Sequence, residues 1–262
     1  MIIYIIVFGL AIGSFANALA WRIKYDMNYM NDRSVCEHCD HVLAWKDLVP
    51  LLSWLSLKGK CRYCSKPVSI KHPIIEVLTA TAYGLSYAFW PIELAGTSSV
   101  GQFSIWLAIL AILVALLIYD LNWLELPDKL MRALAVVVTI GVLFAVLVST
   151  TPTDTIKDSV MGLVIGGGIF YLLYQVSDGK WIGGGDVKLG FVMGLYVGAL
   201  NAFVALVLAF YSATLFILPL MITKKLTRKS KVPFGPFLIL GFYAVTIWGE
   251  KLSEWLQNWL GV

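Results

Sequence analysis

The chain has 262 residues, of which 59% are apolar and 14% charged, with a mean hydropathy of +0.80; an ordinary soluble domain carries roughly 25% charged residues. This composition excludes a water-soluble globular fold. The formal net charge of +4 does not point to nucleic acid, because Lys and Arg gather between apolar segments and form no single stripe.

The first apolar segment, residues 1–21, lacks the basic start and small-residue cleavage site of a secretory signal, so it is expected to stay as a membrane helix. Gly13, Ser14 and Asn17 fall near one of its faces, which suits close helix packing or a polar contact at the entry to a site. Seven further spans are expected near 74–93, 103–119, 131–150, 158–176, 187–199, 201–222 and 235–250, most of them close to the roughly 17–25 residues a bilayer requires. The segment 187–199 is short and rich in glycine, and a tilted or interrupted helix is expected there. The predicted fold is all-α: a polytopic membrane protein of about eight transmembrane helices. Residues 1–21 form its first helix, 22–73 a small cytoplasmic four-cysteine module, and 74–262 a membrane domain of about seven helices. No short internal repeat is evident.

With the N-terminus outside, eighteen of the twenty Lys and Arg residues fall in or beside the loops 22–73, 120–130, 177–186 and 223–233, leaving Lys157 and Lys251 on the other side. The positive-inside rule then turns those loops to the cytoplasm.

All four cysteines lie in the first loop, as Cys36-Glu37-His38-Cys39 and Cys61-Arg62-Tyr63-Cys64. Two such knuckles offer four thiolates to one tetrahedral ion, and the spacing is close to that of a zinc ribbon. Metal binding would supply much of the folding free energy of a loop with few large apolar side chains. Two disulfides or a redox pair are the alternatives, and disulfides belong to an oxidising compartment. His38, His41 and His72 are expected as exposed loop residues.

Charged groups at the ends of membrane helices are functional candidates. Asp120 closes the third span and Asp186 opens the sixth, at the same cytoplasmic depth. Two carboxylates that share a proton act as base toward water and acid toward a carbonyl, the chemistry of an aspartic protease without a metal. Gly183, Gly184 and Gly185 leave room for an extended peptide and for close helix packing. The plain alternative is that Asp120 ends one helix while Asp186 caps the next. Glu125 and Asp128 are rival carboxylates in the turn around Pro127.

Together these residues resemble the bacterial type IV prepilin peptidases, membrane proteases of the GxGD aspartyl class. The resemblance rests on Gly183-Gly184-Gly185-Asp186 followed by Lys188, Asp120 followed by Leu126-Pro127-Asp128, the four-cysteine loop, and Gly13-Ser14-Phe15-Ala16-Asn17. It implies that Asp120 and Asp186 are the catalytic pair, with Gly183, Gly184, Gly185 and Lys188 at the access loop. It also implies cleavage of a prepilin or pseudopilin leader after glycine, and methylation of the new N-terminus from S-adenosylmethionine, although no cofactor fingerprint is spelled here. A structural zinc on Cys36, Cys39, Cys61 and Cys64, pilus or secretion assembly machinery as partner, and the bacterial inner membrane as location follow in the same way. Two departures stand out: many members have Cys-Pro-x-Cys at Cys36–Cys39 and Tyr-Pro at His72-Pro73.

Glu76 suits an ion pair with Lys188, a contact with the substrate's leader, or an interfacial pair. The basic run 224–231 suits anionic membrane lipids, the Pro233-Phe234-Gly235-Pro236 turn suits a helix break or a cavity wall, and Trp255 and Trp259 suit an interfacial tail. The rival functions are a proton-coupled transporter, disfavoured by carboxylates at one face instead of the midplane, and a non-catalytic pilus-assembly scaffold.

Overall fold

The computed structural model describes residues 1–28, 33–227, 230 and 232–260, without the side chains of 250 and 253–260. Among these residues the chain is helical, apart from two isolated β-bridges in the first loop. Helix α1 spans Ile2–Lys24, α2 Leu52–Ser56, α3 Lys71–Ala88, α4 Thr97–Trp123, α5 Asp128–Val148, α6 Pro152–Ser177, α7 Gly184–Val197, α8 Ala199–Ile222 and α9 Gly235–Leu260. Each of the eight expected apolar segments falls largely in one helix, α1 or one of α3 to α9. Five of them, α1, α4, α5, α6 and α8, are long and apolar enough by length and composition to cross a membrane. Helix α7 has 14 residues, or about 21 Å at 1.5 Å per residue, short of a hydrocarbon core of about 30 Å.

The chain divides into two compact units, Met1–Trp90 and Pro91–Val262. In the first, α1 lies against α3 through a stripe of small residues, Gly9, Gly13, Ala16 and Ala20, all buried. A Cβ at Gly9 would stand 2.8 Å from the Ala80 Cα, and one at Gly13 2.8 Å from the Glu76 Cα. The two backbones therefore touch, as small residues allow in membranes. Gly13 serves packing. Near it, Asn17 keeps its amide nitrogen buried without a hydrogen-bond partner.

In the second unit α4 supplies much of the core: Trp106, Ile109, Leu113 and Leu116 are fully buried. Helices α6 and α7 meet at glycines, where a Cβ at Gly166 would strike the Gly190 carbonyl and one at Gly194 the Gly162 carbonyl. Only Gly198 separates α7 from α8, and its φ of +81° belongs to glycine. The Asp158 carboxylate fills the space beside Gly198 and accepts the Ala199 N–H at 3.0 Å, capping α8. That corner explains how two apolar segments follow each other without a loop.

Helix α9 extends to Leu260, ten residues past the expected end of its apolar stretch. The side chains of Trp255 and Trp259, and residues Arg228, Lys229 and Lys231 of the basic run, lie outside the described residues.

Candidate active site

Asp120 sits in the last turn of α4 and is 5% exposed. The helix runs on to Trp123 and closes with Leu124 in the left-handed region, whose N–H donates to the Asp120 carbonyl at 2.9 Å. Asp120 thus lies inside its helix by one turn, instead of at its end. The chain then turns through Leu126 and Pro127 into α5, whose first residue is Asp128.

Two contacts dock this turn on the start of α7. A Cβ at Gly185 would lie 2.9 Å from the Leu126 Cβ, so the glycine is needed for the approach. Lys188 Nζ reaches Asp128 Oδ1 at 2.6 Å, an exposed ion pair between residues 60 apart in the chain. Gly183 precedes the first turn of α7, and Asp186 is in that turn, with its N–H on the Gly183 carbonyl at 3.1 Å.

Asp186 and Asp120 come close enough to interact electrostatically. The Gly183 amide is directed at the Asp186 carboxylate and the Gly235 amide at that of Asp120. Asp120 Oδ2 is nevertheless buried without completing a hydrogen bond. A buried polar atom left unpartnered costs about 1–3 kcal/mol, and a catalytic role or a bound water or ion is among the reasons one persists. Capping and pairing coexist here: Asp186 occupies a helix start and also faces a second carboxylate.

The glycine triplet divides by role. Gly183 and Gly184 are exposed, and Cβ atoms there would meet nothing nearer than 3.5 Å and 3.8 Å. They border open space, whereas Gly185 is a packing residue. Gly235, which opens α9, is set beside Asp120 by Phe234, whose ring lies 5.8 Å from Phe170 and 5.2 Å from Phe210. The Pro-Phe-Gly-Pro signal marked this turn in the sequence, but nothing there tied it to Asp120.

The four cysteines of the first unit form a separate centre. Their sulfur atoms all lie within 4.8 Å of one another, and Cys36 Sγ is 3.9 Å from Cys64 Sγ. A tetrahedron with metal–sulfur bonds of about 2.3 Å has edges of about 3.8 Å, so the residues fit one metal ion. The four thiols are free of disulfides.

Each pair lies on the same kind of knuckle. Cys36 N–H donates to His41 O and Cys61 N–H to Lys66 O, at 3.0 and 2.8 Å. Asp40 and Ser65 both take positive φ, and bridges Val35–Val42 and Lys60–Pro67 close the two loops. This is a structural repeat that the side chains do not spell. Amides of Cys64 and Tyr63 hydrogen-bond the Cys61 thiol and pull it down to about 7, toward the thiolate that binds metal.

A carboxylate missed in the sequence holds the second knuckle. Asp47 accepts Arg62 Nε at 2.6 Å, Tyr63 Oη at 2.9 Å and the Ala44 N–H at 3.1 Å. Tyr63 lies over His41, ring centroids 3.6 Å apart, so Asp47 ties both knuckles together. His41 is exposed as expected, yet it serves this contact. Glu76 is buried, and its Oε2 accepts the Leu51 N–H at 2.7 Å; Lys188 is paired with Asp128 instead.

Residues 7–90 match the Bacterial Peptidase A24 N-terminal domain, and residues 107–218 match the Type IV leader peptidase family. The chain is 32% identical over 269 residues to a type 4 prepilin-like proteins leader peptide-processing enzyme of Escherichia coli O78:H11, covering 93% of this chain and 92% of that one. It is 30% identical to a prepilin leader peptidase/N-methyltransferase of Aeromonas hydrophila, over 98% and 94% of the two chains. A Bacillus subtilis protein of the same name is 24% identical over the full length of both. No solved structure gives a significant match. The chain belongs to the type IV leader peptidase family.

Proposed function

We propose that the protein is a membrane aspartyl endopeptidase that removes the leader of type IV prepilins or pseudopilins after a glycine, at the cytoplasmic face, and then methylates the new N-terminus. The observation that carries this reading is the approach of Asp186 to the buried Asp120, whose Oδ2 has no partner. The names of the relatives support the substrate and the second activity.

The dyad holds one proton between its carboxylates. The ionised member takes a proton from water, and the water oxygen bonds to the scissile carbonyl carbon while the protonated member gives its proton to the carbonyl oxygen. As the tetrahedral intermediate collapses, the C–N bond breaks, the leaving nitrogen takes the proton accepted from water, and one hydroxyl of the intermediate returns its proton to the other carboxylate, which restores the shared proton. Gly183 and Gly184 let the substrate backbone lie against the start of α7, and Lys188 with Asp128 holds that start against the turn after α4.

In the same reading Cys36, Cys39, Cys61 and Cys64 hold a structural zinc that folds segment 22–73. S-adenosylmethionine supplies the methyl group when bound. The clustering of Lys and Arg supports an inner-membrane protein with its N-terminus outside and both centres facing the cytoplasm. Pilus or secretion machinery would then receive the product. Purified protein incubated with a prepilin that has a basic leader and a junction glycine should release the leader, seen by mass spectrometry. With S-adenosylmethionine the mature chain should gain the mass of one methylene. Intact prepilin after incubation with folded, zinc-loaded protein would contradict the proposal.

A further inference from the structure

The cysteine module presents an apolar face in the segment from Trp45 to Leu55. Trp45 is 81% exposed, Leu52 64% and Leu55 54%, with Leu48 also exposed. Trp54, in contrast, is used inside the module: its ring covers Gly59 and its indole N–H donates to the Val68 carbonyl at 3.2 Å. Large apolar side chains left together at a surface mark a contact with something other than water.

One hydrogen bond sets the depth of this face. The Leu51 N–H donates to Glu76 Oε2, and Glu76 is the sixth residue of α3, about 8 Å along the helix axis from Lys71 at 1.5 Å per residue. Around that level the outward residues of α3 include Ile74, Val77 and Leu78, an apolar surface suited to acyl chains. Helix α2 therefore begins beside a helix whose outward face is already apolar. The bond also fixes Leu51 at φ +59° and ψ −49°, a costly conformation for leucine that persists only where its surroundings impose it. Lys46, Lys58 and Lys60 are exposed in the same region.

We propose that Trp45, Leu48, Leu52 and Leu55 form a foot on which the cysteine module rests in the headgroup–acyl boundary of the bilayer, with these lysines meeting anionic phospholipid headgroups. Interfacial segments bury their apolar face roughly 5–10 Å into that boundary, a span comparable to the rise of about 8 Å from Lys71 to Glu76 along α3, and tryptophan favours the same level. The foot holds the four-thiol centre at a fixed height above the membrane. It does so whatever reaction the second unit performs.

The test places the photoreactive p-benzoylphenylalanine at position 52, and separately at 45, in the full-length protein in vesicles of phosphatidylethanolamine and phosphatidylglycerol. Irradiation should add the mass of one phospholipid to the probe-bearing peptide. The same probe at position 37, exposed on the first knuckle, should give no lipid adduct above background. Adducts to protein alone at 45 and 52, or lipid adducts in equal yield at 37, would overturn the proposal. Because Trp45 is so exposed, the probe there keeps the test valid even if substitution of Leu52 disturbs folding.

Discussion

Gly235 stands where any side chain would run into Asp120: a Cβ there would lie 2.5 Å from Asp120 Oδ2. The chain brings α9 to this point through Phe234, seated between Phe170 and Phe210. Gly235→Ala must push the carboxylate or the helix aside. Displacing a reacting group by about 1 Å costs on the order of 100-fold in rate. Single-turnover cleavage should fall by about that factor with substrate binding retained; an unchanged rate would show that Asp120 has room to move.

The glycines between α6 and α7 make a prediction about stability. Gly162→Ala would drive a methyl group into the Gly194 carbonyl, whereas a Cβ at Gly168 meets only Val164 Cγ1, at 3.8 Å. Overpacking of this kind costs about 1–3 kcal/mol, and replacing an unhindered helical glycine by alanine gains roughly 0.5–1 kcal/mol. Thermal unfolding in detergent should thus drop for Gly162→Ala and hold or rise for Gly168→Ala. Equal shifts would contradict the packing.

Asp47 gives the cysteine module a pH signature. Burial pushes its carboxyl up, but hydrogen bonds from Arg62, Tyr63 and the Ala44 N–H outweigh that and hold it below the usual carboxylate range. A carboxyl lowered by folding stabilises at pH values above its unfolded pKa of about 4, and the contribution is lost as pH falls through the folded value. Asp47→Asn lacks it at every pH. Metal loaded on the four cysteines should therefore leave the variant at a higher pH than the wild type during acid titration, and coincident midpoints would contradict the role of Asp47. Cys36→Ser or Cys61→Ser should lose the metal outright.

Lys188 and Asp128 are paired across the turn but both are more than half exposed, and exposed pairs contribute about 0–1 kcal/mol. Lys188→Ala and Asp128→Ala should each reduce cleavage by less than about ten-fold, the equivalent of 1.4 kcal/mol, and the double variant should be no worse than the poorer single one. Additive losses would mean that the two side chains act separately.

Hydropathy made the eight apolar helices legible because each is apolar over much of its length, and four cysteines in two close pairs are legible as a metal-type pattern from spacing alone. Hydropathy is silent on register. It cannot say that Gly162 and Gly166 face Gly190 and Gly194, that Asp158 caps α8 across Gly198, or that Gly235 abuts Asp120, because each contact joins distant segments through backbone or small residues. The apolar span was expected from residue 187, just after Asp186; packing on Leu126 and the turn at Gly183 carry the helix back to Gly184. Asp47 looked like any surface carboxylate, since its partners Arg62 and Tyr63 lie 15 and 16 residues away. The Glu76 bond to Leu51 was hidden because a backbone amide leaves no mark in the sequence.

Asp120 and Asp186 carry the proposed cleavage, and leader release by Asp120→Asn and Asp186→Asn in vesicles, followed by mass spectrometry against the wild type, reads their role without an intermediate step. Asparagine keeps the shape of aspartate but cannot take up or release the shared proton. Each variant should insert, keep its four-cysteine module folded and leave the prepilin uncut. Cleavage by either variant at the wild-type rate would contradict that role.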